Sequence, residues 1–98
     1  MENLAMNEIH PPQTHTSLQL IQGKFDTNDA LDIISQMIEV KIKYHENKIT
    51  AESQMEDIKY RENKIKQLQK QLFDTRNFLL HQQGTVAIDA TISLNPGL

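Results

Sequence analysis

Apolar positions change period twice along the chain, and each change marks a boundary between element types. Over residues 16–22, Thr16, Leu18 and Leu20 alternate with Ser17 and Gln19, which is the period of a short strand, and Gly23 reads as its end. From Asp26 the spacing becomes three and four. Leu31, Ile34, Ile38, Ile42, His45 and Ile49 form one stripe, and Ala30, Ile33, Met37, Val40 and Tyr44 form a second beside it. This predicts a helix over residues 27–49. The Asp26 carboxylate is placed to accept the Asp29 amide, with Phe25 as a staple opposite Ala30. Asp29 and Asp32 lie in the first turns, where the helix dipole favours negative charge. The combined apolar face is wider than a two-stranded seam requires, so this helix is expected to touch more than one neighbour.

A second helical pattern covers residues 53–83. Ile58, Ile65, Leu72 and Leu79 recur every seven residues, with Leu68 at one d position and Arg61, Thr75 and Gln82 at the others. Glu39–Lys43, Asp57–Arg61 and Glu62–Lys66 are acid-to-base pairs at i,i+4, and Gly84 suits the C′ position that closes a helix. Over residues 85–94 the period returns to two: Val86, Ile88, Ala90, Ile92 and Leu94 alternate with Thr85, Ala87, Asp89, Thr91 and Ser93. The predicted order is strand, helix, helix, strand.

No Gly or Pro interrupts residues 24–83, so one long helix must be weighed against two. A near-repeat decides between them: IKYHENKI at 42–49 returns as IKYRENKI at 58–65, with His45 changed to Arg61. A displacement of sixteen residues at about 100° each would set the copies roughly 160° apart on a continuous helix. A break near ITAES repairs the phase, and Thr50 or Ser53 with Glu56 is placed to cap the restart. A turn near residue 51 brings His45 towards Asp57 and Arg61 towards Lys41 or Ile42. His45 and Arg61 then occupy polar d positions, candidates for fixing helix register.

The resulting expectation is a mainly α protein: an antiparallel, coiled-coil-like helical hairpin flanked by two short strands, β-α-α-β. Residues 15–94 form the domain, residues 1–14 a flexible tail and residues 95–98 a second tail. Two isolated strands make a marginal sheet. That need for cover, with the wide apolar stripe, predicts a homodimer built as a four-helix bundle. Ile34, Ile38, Ile42, Ile58, Ile65, Leu68, Leu72 and Leu79 are its candidate interface.

Composition sharpens this picture. The chain has 98 residues, 38% hydrophobic and 5% aromatic, with no Cys and no Trp, so one thin core is the upper bound. Lack of Cys excludes disulfides and thiolate metal sites. No basic n-region with an apolar stretch opens the chain, and no apolar run reaches about 18 residues, so a soluble cytoplasmic protein is expected. The net charge of −3 is uneven, with acids prevailing up to residue 40 and bases over residues 41–76.

Candidate chemistry is sparse. His10, His15, His45 and His81 do not have zinc-ligand spacing, HENKI has no second His at i+4, and Ser17, Ser35, Ser53 and Ser93 lack nucleophile-elbow glycines. The expectation is no enzyme and no cofactor. LQLIQGKF, Asp29–Ala30 and VKIKYH together resemble a pattern in small bacterial helical proteins of unassigned function, over residues 18–45. That resemblance implies a small bacterial protein and brings no activity with it. The leading functional expectation is a homo-oligomeric structural or protein–protein interaction module, its partner itself or another protein met through a helix face or strand edge. The alternative is a regulatory nucleic-acid-associated protein that contacts phosphates through Lys41, Lys43, Lys48, Lys59, Arg61, Lys64 and Lys66 near the hairpin tip.

Overall fold

The computed structural model describes residues 14–97. Strand β1 (Thr16–Asp26) leads into helix α1 (Thr27–Asn47), which is followed by helix α2 (Met55–Leu80) and strand β2 (Thr85–Leu94). The two strands form an antiparallel two-stranded sheet. The predicted order of elements is present, but the weight assigned to them needs correction. Of the described residues 56% are helical and 25% lie in strands, so the protein is not mainly α. The cause is strand length. β1 runs through Gly23 to Asp26 rather than stopping at residue 22. A glycine is tolerated in an extended strand, and a Cβ built at Gly23 would meet the Phe25 ring at an ordinary 3.6 Å. The homodimeric four-helix bundle is likewise unsupported: the chain's two helices form a hairpin and accompany a sheet.

The chain divides into two compact units, Gly23–Ile88 and a second made of residues up to Gln22 together with Asp89–Leu98. In the first unit, α1 packs on α2. Asp26 begins α1 as expected, its carboxylate accepting the Asp29 amide at 2.8 Å. The heptad on α2 reappears as its burial pattern. Ile58, Arg61, Ile65, Leu68, Leu72, Thr75 and Leu79 are all buried or partly buried. The buried core is small and wholly apolar: Ala30, Ile38, Leu68 and Leu79. Each buried leucine stabilises the unit by about 1.5–3 kcal/mol. Ile34, Ile42, Ile58, Ile65 and Leu72 are partly buried. Packing within one chain thus accounts for much of the apolar set expected at an oligomer interface. The second stripe on α1 is less well covered, with Val40 and Tyr44 exposed.

Helix ends and turns depart from expectation in ways that side-chain chemistry explains. α1 stops at Asn47, and the Lys48 and Ile49 amides close its end on the His45 and Glu46 carbonyls. α2 has Gln54 at its N-cap with no side-chain hydrogen bond, so neither Thr50 nor Ser53 caps it. Those two residues build the turn instead. Ser53 Oγ accepts from the Thr50 amide at 2.9 Å and donates to the Lys48 carbonyl, while Thr50 Oγ1 accepts from the Glu52 amide. α2 ends at Leu80 rather than residue 83, and Gly84 adopts a φ of 84° in the turn entering β2 rather than acting as C′. The three expected acid-to-base pairs are absent among the described residues. The ion pair found on α2 is Lys70–Asp74 at 2.9 Å, well exposed and of little energetic weight.

In the second unit the strands are linked by one side chain. Gln19 Nε2 donates to the Asp89 carboxylate at 2.8 Å and to the Ala90 carbonyl, and Gln19 Oε1 accepts from Thr91 Oγ1. These bonds place Gln19, Asp89 and Thr91 on one face of the ribbon. Strand alternation then puts Leu18 and Leu20 on the opposite face with Ala90, Ile92 and Leu94. That apolar face is open: Leu18 is 51% exposed, Leu20 45%, Ile92 37% and Leu94 56%.

Candidate functional site

The repeated phrase meets itself across the α1–α2 hairpin. Each copy supplies an aromatic, a polar d residue and a lysine: Tyr44 and His45 on α1 with Lys48 at its C-cap, and Tyr60, Arg61 and Lys64 on α2. Arg61 Nη1 lies 3.0 Å from His45 Nδ1. A guanidinium can only donate, so His45 Nδ1 accepts and the neutral ring carries its proton on Nε2. Electrostatics agree with a neutral ring. Desolvation, followed by the positive charges of Arg61, Lys64 and Lys41, holds the His45 pKa below its ordinary value of 6.5. The Tyr44 and His45 rings meet edge to face at 5.3 Å. Arg61 stands over both tyrosine rings, 5.6 Å from Tyr44 and 5.7 Å from Tyr60, with Lys48 5.5 Å from the Tyr44 ring and Lys64 5.5 Å from the Tyr60 ring.

This arrangement corrects the expected register. His45 faces Arg61, not Asp57, and Arg61 does not turn towards Lys41 or Ile42 for its hydrogen bond. The physical reason is the direction of helical side chains, which lean towards the helix N-terminus. On α2 that lean carries the long Arg61 side chain towards the hairpin tip, and on α1 it carries His45 away from the tip. Counting residues from the turn omits both displacements.

A cleft of about 320 Å³ lies beside this pair, lined by Lys41 and His45 from α1 and by Tyr60, Lys64, Gln67, Leu68 and Gln71 from α2. Its lining holds two ammonium groups, two carboxamides, a phenol and an imidazole, and no carboxylate. Of these, Gln67 and Gln71 had no role in the sequence reading. Their spacing of three and four from Lys64 and from each other is the signal that places them on one face of α2. The lysines proposed as phosphate contacts do not gather into one surface. Lys41 and Lys64 share the cleft, whereas Lys43 lines a separate depression with Gln36, Glu39 and Val40. Lys59 and Lys66 are exposed and line neither.

Elsewhere, a depression of about 330 Å³ in the second unit is lined by Thr14, His15, Thr16, Leu94, Asn95 and Pro96. Among the described residues no group of three or more His, Cys, Asp or Glu side chains converges as a metal site. His10 lies outside them. No helix among these residues is long and apolar enough to cross a membrane. No protein family, curated protein or solved structure matches this chain.

Proposed function

We propose that the protein is a small self-associating interaction module, and that a second copy covers the open face of its β-ribbon. The observation that carries this reading is the row of Leu18, Leu20, Ile92 and Leu94, all more than a third exposed on one face of two strands. A two-stranded ribbon is marginal in water without cover. Its stretches Thr16–Gln22 and Asp89–Leu94 bear a single charged residue, Asp89, and the alternation assigns it to the opposite face. An uncharged apolar face is matched by another of the same kind, and an isologous pair of ribbons supplies it from the same sequence. Neither edge carries the lysines or prolines that commonly discourage pairing over Thr16–Gln22 and Asp89–Leu94.

Sedimentation of the full chain tests the reading. It predicts a reversible dimer at low micromolar concentration. The double substitution Leu18→Thr with Ile92→Thr, which keeps strand propensity and removes apolar surface, should yield monomer. A wild-type chain that stays monomeric as its concentration is raised to about a hundred times that range, a shift of roughly 2.7 kcal/mol in the association equilibrium, contradicts it.

A further inference from the structure

The cleft between α1 and α2 is not needed for self-association through the ribbon, and its chemistry is specific. Two helices bring Lys41 and Lys64 to one concave surface, with Gln67, Gln71 and the Tyr60 phenol lining the same space. Every one of these groups can donate a hydrogen bond. Arg61 adds a third cation next to His45. Among the described residues none of the three cations has a carboxylate within ion-pairing distance. A set of like charges held together without counter-charge is unfavourable unless something negative occupies the space between them. Beside them, desolvation and then the charges of Arg61 and Lys64 from α2 and Lys41 from its own helix disfavour a proton on His45.

We propose that this cleft binds a small tetrahedral oxyanion, a phosphate or a phosphomonoester, with Lys41 and Lys64 as its ionic partners and Gln67, Gln71 and Tyr60 as neutral donors. Nε2–H of His45, left free by the bond that Nδ1 accepts from Arg61, is a further donor on a ring that lines the cleft. The ligand's charge follows from the cations: two ammonium groups and a nearby guanidinium suit a dianion better than a carboxylate. Its shape follows from the directions of approach. Donors arriving from two helices match oxygens that point apart, as in a tetrahedral group, rather than two that lie in one plane. Extended nucleic acid fits less well, because Lys43, Lys59 and Lys66 do not line the cleft and the chain carries a net charge of −3.

Titration calorimetry on the full chain, with inorganic phosphate and phenyl phosphate as separate probes, decides the matter. Saturable binding of one probe molecule per chain is expected, and the tighter probe tells free phosphate from an esterified group. Lys41→Gln with Lys64→Gln should weaken binding by about tenfold or more, whereas Lys43→Gln with Lys59→Gln, which removes the same charge outside the cleft, should change it by less than about twofold. Gln71→Glu places a carboxylate in the cleft without touching a lysine and should likewise weaken binding by about tenfold or more, which guards against a folding defect in the lysine variant. No saturable binding of either probe overturns the proposal. Equal losses in the two lysine pairs overturn it as well, by reducing the effect to net charge. Tighter binding of a single-stranded oligonucleotide, weakened alike by both pairs, overturns it in favour of a diffuse polyanion surface.

Discussion

His45 and Arg61 are the one difference between two otherwise identical phrases, and the structure puts them in contact at 3.0 Å. Two polar groups at d positions cost stability relative to leucine while restricting which residues can face each other. Replacing both by leucine should therefore raise the melting temperature, on the order of 5 °C for a domain of this size. Lower stability in that variant would argue against a register device at this position. The same pair confers a pH dependence. His45 has a pKa below 6.5 in the folded protein and close to 6.5 when unfolded. As pH falls through 6.5 towards the lower folded value, the unfolded chain takes up a proton that the native site resists, so stability is lost over that window and is fully present above it. Thermal melts between pH 7.5 and pH 5 should show a steeper decline in the wild type than in the double-leucine variant. The identity of this pair was legible in the sequence, since only one letter breaks the repeat. Its geometry was not, because residue counting ignores the lean of helical side chains.

At the scale of elements, caps and turns set the boundaries. Removing the Asp26 carboxylate by Asp26→Ala should cost about 1 kcal/mol, the usual value of an N-cap bond of this kind. Gly84→Ala should cost about 1–2 kcal/mol through backbone strain alone, because φ is 84° there and an added Cβ would meet nothing within 4 Å. Urea denaturation midpoints measure both, and a neutral Gly84→Ala would contradict the strain assignment. These elements were legible in the apolar periods to different degrees. The three-and-four spacing from Leu31 to Ile42 and the sevenfold spacing from Ile58 to Leu79 correspond to the helices found. The end of β1 was misplaced because Gly23 reads as a terminator, while the strand passes through it and continues to Asp26. The start of α2 was misplaced because Thr50 and Ser53 have the chemistry of caps but bond to the turn that precedes the helix. Local sequence names a side chain that can cap; it does not choose among the amides within its reach.

At the scale of the molecule, the buried core among the described residues reduces to four apolar side chains, while large apolar side chains remain at the surface on both strands and both helices. A chain of 98 residues without disulfides has few other sources of stability. The sequence signalled this shortfall through its low aromatic content and wide α1 stripe. Together with the two strands' need for cover, it led to a homodimer built as a four-helix bundle, with its candidate interface on the helices. The structure shifts attention to the ribbon, whose apolar face is set by three hydrogen bonds of Gln19 with β2, partners that lie about seventy residues away and that no local pattern reveals. The central claim is that a second copy covers this face, and an isotope-filtered NOE experiment tests it most directly. In a mixture of 13C-labelled and unlabelled full-length chains, intermolecular contacts are predicted between the methyl groups of Leu18, Leu20, Ile92 and Leu94. A concentrated sample showing no intermolecular contact at those methyl groups, or showing them only at Val40 and its neighbours on α1, would contradict the account.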